Sequence, residues 1–280
     1  PAMPTGCSMN IMMEKMPHRC FDVGIAEAHA VTFSAGLAAG GQTPFCNIYS
    51  TFMQRAYDSI IHDVALQNLP VVLCLDRGGI VGEDGATHHG VFDLAYLCCI
   101  PNITVAAPSD ELELRNMMYT ALKSGTPFAI RYPRGEGRGV QWRNSSFEQL
   151  PIGKGRELRA GEDVAVIALG KCCDFALQAA QMAEAEGISV AVYDLRYAKP
   201  MDERLISEVG KRFERVITIE DGVIRGGVGE AVAAFMAKSG LHPSITNLGI
   251  DDRFVEQGTP AELYAECGYD EQSLLNLLNS

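Results

Sequence analysis

Four segments concentrate side chains that can do chemistry. The first reads Asp22-Val23-Gly24-Ile25-Ala26-Glu27-Ala28-His29-Ala30 and sets Glu27 near the start of a small-residue, apolar helix. A carboxylate there is costly unless a partner satisfies it. A helix-start glutamate that faces water, favoured by the dipole, fits the same spacing. The second is Tyr49-Ser50-Thr51-Phe52-Met53-Gln54-Arg55-Ala56-Tyr57-Asp58, which follows a strand and opens a helix. Ligands of parallel sheets collect beyond the carboxyl ends of strands, which places Tyr49, Phe52 and Arg55 well. Phe52 can offer an apolar face to a flat ring, or simply join the core after a Ser50 or Thr51 cap. The third, Asp76 to Gly90, gathers five glycines with Arg77, Glu83, Asp84, His88 and His89 in one loop after a strand. Long glycine-rich loops in compact domains usually carry function, and an Asp84/His88 pair can move protons near neutral pH. The fourth is Arg131-Tyr132-Pro133-Arg134-Gly135, again at a strand end. Arg77 and Arg134 can converge on one anion, because guanidinium matches phosphate geometry.

Other candidates read as structural. His62 and Asp63 lie further along the second segment's helix. Ile219-Glu220-Asp221-Gly222 and Gly226-Gly227-Val228-Gly229-Glu230 do not form a dinucleotide fingerprint after a strand, and tight helix packing accounts for them. A zinc site from His88, His89, Cys98 and Cys99 matches no common ligand spacing.

The elements that position these residues alternate. Strands are expected at Pro44–Tyr49, Val71–Asp76, Ile103–Ala107 and Phe128–Tyr132, then at Val164–Leu169, Ser189–Asp194, Arg215–Glu220 and Ser244–Leu248. Helices are expected at Ala26–Ala39, Phe52–Gln67, Asp110–Ser124, Asp174–Gly187, Glu203–Lys211 and Gly229–Lys238. Alternation of this kind predicts an α/β fold with two consecutive parallel-sheet, three-layer domains. Ser109, ahead of the acidic Asp110 and Glu111, and Asp202 are expected helix caps, and Gly125 then Pro127 a helix end. The stretch Arg134–Pro151 breaks the rhythm with Gly135, Gly137, Gly139 and the single Trp142. Domains are therefore expected at 1–138 and 153–280, joined by a linker at 139–152. The turn-like Pro1-Ala2-Met3-Pro4 start leads us to expect that the first strand of the first domain is missing.

Composition narrows the classes. The 280 residues carry 23 Lys plus Arg against 35 Asp plus Glu, a net charge of −12, which disfavours a general nucleic-acid binder. No apolar run is long enough to span a bilayer, and no signal-peptide pattern opens the chain, so neither nucleic acid nor membrane is an expected partner. Nine cysteines, an odd number without a C-x-x-C spacing, suit thiols in a reducing cytoplasm better than a disulfide framework.

Taken together, the four segments, with Asp252-Arg253-Phe254-Val255-Glu256-Gln257-Gly258 near the end, resemble transketolase-type thiamine diphosphate enzymes over essentially the whole chain. The deoxyxylulose-phosphate synthase branch is the nearest. The resemblance implies a pyrimidine-binding domain followed by a transketolase C-terminal domain. It implies condensation of pyruvate with D-glyceraldehyde 3-phosphate, with loss of CO2, to 1-deoxy-D-xylulose 5-phosphate, by a cytoplasmic homodimer. Glu27 is then the residue that hydrogen-bonds the cofactor's aminopyrimidine ring, Phe52 stacks on that ring, and Ile25 lines it. Arg77 and Arg134 hold the aldehyde's phosphate, while Tyr49, Arg55, Asp84 and His88 line the substrate pocket, with Asp84 and His88 as catalytic candidates. Ala28 stands where the family often has glutamine.

The family holds Mg²⁺ and the cofactor diphosphate through a Gly-Asp-Gly and a downstream asparagine, and no Gly-Asp-Gly occurs here. Glu220-Asp221-Gly222 with Asn247 has nearly the right spacing, but Glu220 would repel a diphosphate, so no metal ligand is expected in this chain. The diphosphate domain is expected outside it, and the chain alone is expected to be inactive. Two other readings remain: the β-subunit of a thiamine-dependent 2-oxoacid dehydrogenase, and a non-catalytic dimerisation module. The first lacks a reason for the Arg77/Arg134 pair, and the second a reason for Glu27, Phe52, Asp84 and His88.

Overall fold

The computed structural model describes residues 1–280. Ten strands run through it: β1 (Phe45–Tyr49), β2 (Val72–Asp76), β3 (Thr104–Ala106), β4 (Phe128–Tyr132), β5 (Arg156–Arg159), β6 (Val164–Ala168), β7 (Val190–Asp194), β8 (Tyr197–Lys199), β9 (Arg215–Val223) and β10 (Ser244–Ile250). They form two five-stranded sheets, in the orders β1-β2-β4-β3-β8 and β10-β9-β6-β7-β5. All pairings are parallel except the last of each sheet, β3 with β8 and β7 with β5. The expected parallel α/β sheets are present, each with an antiparallel edge strand that the sequence pattern did not announce.

Both faces of each sheet are covered, which is why the strands read as unbroken apolar runs. In β2, Leu73 and Leu75 pack toward Ala30, Val31 and Ala35 of the Glu27–Ala39 helix. Val72 and Cys74, one residue out of phase, pack toward Met117 and Ala121 of the Glu111–Ser124 helix. In β6, Val164 and Val166 share a core with Ala176 and Leu274, whereas Ala165 and Ile167 face Ile206 and Val232. Each fully buried Val, Leu, Ile or Met among them contributes about 1.5–3 kcal/mol. The layer holding Ala165 and Ile167 is continuous with the core over Leu73 and Leu75, so the two sheets share one apolar interior.

Asp110, rather than the expected Ser109, caps the Glu111–Ser124 helix, because Ser109 Oγ donates to Asp194 Oδ2 at 3.1 Å; the other expected ends are made. Asp110 accepts from the Glu113 amide at 2.8 Å, Gly125 closes that helix at φ 68°, and Asp202 accepts from the Leu205 amide at 3.2 Å. The expected Phe52–Gln67 helix is instead a broken run. It has one α-turn at Ser50–Met53, a tighter 3₁₀ turn at Gln54–Ala56, a short α segment at Tyr57–Ser59 and a widened π turn at Ile60–Ala65. No proline or glycine marks this departure; such irregular turns recur at functional sites.

The 139–152 stretch is not a free tether. Arg115 donates to the carbonyls of Trp142 and Ser145, Thr120 Oγ1 accepts from the Leu150 amide at 2.8 Å, and Leu150 is buried. Beyond it, Arg196 clasps Glu113 with two hydrogen bonds of 2.8 Å and Arg156 meets the same carboxylate at 3.0 Å. At the other end of the chain, the Ala2 amide donates to the Asn47 carbonyl at 3.2 Å, alongside β1.

Candidate active site

The carboxyl ends of β1, β2 and β4 open on one crevice. Tyr49 and Asp76 close β1 and β2 in register, and Tyr132 is the partner of Asp76 on β4. The crevice gathers three of the four sequence clusters directly, and the Glu27–Ala39 helix brings in the fourth.

Glu27 is 3% exposed, and its Oε1 accepts from Arg55 Nη1 at 2.9 Å. Of the two readings open for this carboxylate, the buried and partnered one holds. Arg55 also lies over the Phe52 ring at 4.8 Å. Phe52 stacks on Tyr49 at 5.7 Å and 13°, and meets His88 edge-on at 5.3 Å. Glu27, Arg55, Phe52, Tyr49 and His88 thus form one contiguous surface. Arg55 sits on Glu27 rather than beside the other two arginines. Ile25 is 74% exposed at the surface ahead of the helix.

Arg77 adopts φ 62°, a left-handed conformation uncommon for a long side chain and a mark of local strain. Its guanidinium packs over the Tyr49 ring at 3.8 Å and donates to Asp76 Oδ2 and the Gly6 carbonyl, both at 3.0 Å. Arg134 donates to Asp84 Oδ2 at 3.1 Å. Both arginines line a cleft of about 550 Å³, together with Ser109, Arg138, Lys171 and Asp174. Cys7, on the same cleft, has its thiol pushed up to about 12, by burial first and Asp76 next, so it stays protonated at neutral pH. Burial raises the Asp76 carboxyl as well, and Arg77 partly offsets this.

The loop between β2 and Gly90 carries Asp84 and His88. His88 Nδ1 meets Thr87 Oγ1 at 2.9 Å, and Thr51 Oγ1 donates to the Thr87 carbonyl at 3.1 Å. His89 is buried and structural: its Nδ1 accepts from the Val81 amide at 3.1 Å, which leaves Nε2–H to donate to the Glu256 carbonyl at 3.2 Å. No cluster of three or more His, Cys, Asp or Glu side chains is placed to hold a metal ion. Cys99 instead meets Tyr57 Oη at 3.3 Å. His62 and Asp63 lie away from the crevice, where Asp63 accepts from Thr32 Oγ1 at 2.6 Å.

Glu220 and Asp221 are used internally. Glu220 takes the amides of Val228 and Gly229 at 3.0 and 2.8 Å, capping the Val228–Lys238 helix. Burial lifts its carboxyl to about 7 against those two amides. The Asp221 carbonyl accepts from Arg131 Nη2 at 2.8 Å, while Arg131 Nε donates to Asp93 Oδ2 at 2.9 Å. Burial pulls the Arg131 pKa down, but Asp93 and Asp221 outweigh it and hold the guanidinium charged. The sequence analysis named Arg131 in its fourth cluster without a role of its own, and passed over Asp93. The available signal was a charge inside the apolar strand Phe128–Tyr132, which demands a buried partner.

Comparisons with known proteins identify the two domains. The transketolase pyrimidine-binding domain model matches residues 1–139, and the transketolase C-terminal domain model matches residues 153–274. Proteins named 1-deoxy-D-xylulose-5-phosphate synthase are 59% identical over 280 residues in Bacteroides fragilis, 61% over 276 in Bacteroides thetaiotaomicron and 49% over 274 in Aquifex aeolicus. The alignments take in 99%, 98% and 98% of this chain and 43%, 42% and 43% of those proteins, so the chain spans under half the length of these relatives. A solved split-gene transketolase, described as an inactive β4 tetramer, superposes with a TM-score of 0.85 at 28% identity, over 99% of this chain and 87% of that one. Transketolase from Campylobacter jejuni shares the fold at TM-score 0.74 and 19% identity, over 92% of this chain and 39% of that one. On two consecutive domain models and this relatedness, the chain belongs to the transketolase family, as a pyrimidine-binding domain followed by a C-terminal domain.

Proposed function

We propose that the chain supplies the aminopyrimidine-facing half of a thiamine diphosphate site. The enzyme containing it would join pyruvate to D-glyceraldehyde 3-phosphate, with loss of CO2, to give 1-deoxy-D-xylulose 5-phosphate. The observation that carries this reading is the buried Glu27 carboxylate beside Phe52. Only Oε1 is committed to Arg55, so Oε2 remains to accept a hydrogen bond from a ring N–H, while the neighbouring aromatic offers the ring a stacking surface. The residues present fit that half of the cofactor. Bound thiamine diphosphate supplies the electron sink for loss of CO2.

The chain's own residues bind and orient. Glu27 would hold the ring's N–H through Oε2 and so favour one tautomer of a bound aminopyrimidine. Arg77 and Arg134 face the cleft and suit the phosphate of a triose phosphate. With Nδ1 on Thr87, His88 has Nε2 left to exchange a proton with a reactant over Phe52. The residues present do not fit the cofactor diphosphate and its Mg²⁺: Glu220, Asp221 and Asn247 are all engaged in internal hydrogen bonds. In this reading that half-site lies in the part of the longer relatives beyond the aligned region. A cytoplasmic homodimer belongs to the same proposal.

The split-gene transketolase supports a second arrangement, in which the complementary half is a separate chain. One experiment tests both. Intact mass is measured beside CO2 release from pyruvate with thiamine diphosphate, Mg²⁺ and glyceraldehyde 3-phosphate. The 280-residue chain should be inactive alone. Activity should appear with the complementary part, fused or separate, and depend on the phosphorylated aldehyde. Turnover by the chain alone, or CO2 release indifferent to that aldehyde, would overturn the reading.

A further inference from the structure

Within its own domain the loop from Gly78 to Gly90 is held by its Gly79–Gly90 pairing and by hydrogen bonds that join Gly78, Thr87 and Asp84 to Tyr132, Thr51 and Arg134. Gly79, Gly82 and Gly85 have φ of 87°, 95° and 69°, and between the Gly79–Gly90 bridge at its ends the loop has only the short turn Gly85–Thr87. Ordering so glycine-rich a segment costs conformational entropy at every residue, and the compensation must come from outside it. Part of it comes from the second domain. Asp221 Oδ1 accepts the Ile80 amide at 2.9 Å, and Tyr269 Oη donates to the same oxygen at 2.9 Å. Tyr264 Oη lies 3.4 Å from Oδ2. Further along, the Glu256 carbonyl takes His89, Gly82 faces Pro260, and Gly85 packs on Gln257. Gly79 lies so close to the Asp221 carboxylate that a side chain there would collide with it.

The same aspartate reaches the other end of the loop through its backbone. Arg131 Nη2 bridges the Asp221 carbonyl, at 2.8 Å, and the Gly90 carbonyl, at 3.2 Å. Arg131 Nε then donates to Asp93, whose Oδ2 also takes the Ser50 hydroxyl at 2.8 Å, two residues before Phe52. One buried network therefore joins the second domain to both ends of the loop and to the segment that carries Phe52.

We infer that Asp221 is a positioning residue: from the second domain it holds the Gly78–Gly90 loop so that Asp84 meets Arg134 and His88 meets Phe52. The consequence for catalysis rests on the function proposed above; the holding itself does not. A cleft partly walled by a loop is shaped by whatever holds that loop. The C-terminal domain thus shapes the substrate pocket through this loop, beside the Lys171 and Asp174 side chains that it adds to the cleft wall.

Amide hydrogen exchange on the 280-residue chain tests the holding directly. Asp221→Asn keeps the size of the side chain but removes its charge. It should raise exchange at residues 80–89 about tenfold or more, with β6 and β9 protection nearly unchanged. Tyr269→Phe removes one bond to Asp221 and leaves the carboxylate; it should give a smaller rise, still confined to the loop. In the active assembly, Asp221→Asn should lower kcat/KM for the phosphorylated aldehyde about tenfold while thiamine diphosphate affinity holds. Unchanged loop exchange in Asp221→Asn, or protection lost equally through the second sheet, would overturn the inference. If Asp221→Asn does not fold, Tyr269→Phe decides: a loop-confined rise supports it and none overturns it. Loop loosening with no effect on the aldehyde would leave the holding intact and sink the assignment of Asp84 and His88.

Discussion

Arg134 and Asp84 pair at 3.1 Å with side chains 40% and 47% exposed. At such exposure the pair contributes at most about 1 kcal/mol, so Arg134 is poorly explained as a stabilising residue. Its place on the cleft, with Arg77, fits the anion-binding role proposed above. Arg134→Met is therefore expected to leave the melting temperature unchanged. In the active assembly, KM for the phosphorylated aldehyde should rise about tenfold or more, and KM for pyruvate should stay put. A rise in both would mean the arginine shapes the site generally. At this scale the sequence was informative where a residue type is rare in its setting. Glu27 in a helix of alanines and the glycine-rich loop with Asp84 and His88 stood out. Arg131 did not, because one charge in a strand names neither its partner nor its burial, and Asp221 is 90 positions away.

Elements follow local rules until a tertiary contact overrides them. Asp110, Gly125 and Asp202 end their helices as their chemistry demands, because a cap is satisfied within three residues. The Val228–Lys238 helix is capped from another element instead, by Glu220 eight residues upstream. The folded value of about 7 lies above the ordinary 4.5 of that carboxyl, so the native state holds a proton that the unfolded chain releases. The resulting stability is fully present below pH 4.5 and is lost as pH rises through about 7. The loss is at most about 3 kcal/mol. Glu220→Gln should flatten this part of the pH dependence. Urea midpoints at pH 5 and pH 8 measure it, and equal slopes in wild type and variant would refute the assignment. Asp194 and Asp221 are also raised by burial and slope the same way, so the difference between the two proteins is the informative quantity.

The two domains behave as one body in their contacts. A single apolar cluster runs from Leu73 to Ile167, β8 pairs with β3, and Arg196 clasps Glu113 across the boundary. One cooperative calorimetric transition is the expected outcome, because neither sheet can unfold without exposing part of the other's core. Arg196→Leu should lower stability by about 1.5–3 kcal/mol and keep that single transition, since Arg156 still neutralises Glu113. Two resolved transitions in the wild type would show domains that fold separately. No helix is long and apolar enough to cross a membrane.

Sequence alone determined the alternation of strands and helices, the two-sheet α/β architecture and the four clusters of reactive residues. These depend on short unbroken apolar runs, helical spacing and local capping, which are written into neighbouring positions. Tertiary structure decided the rest. It placed β8 on the first sheet, drew Arg55 onto Glu27, turned Glu220 and Asp221 inward, and hung the Asp84–His88 loop from the second domain. Each of these joins residues far apart in the chain through burial and directed hydrogen bonds. No local pattern encodes such a join, because its energy exists only once both partners have left water together.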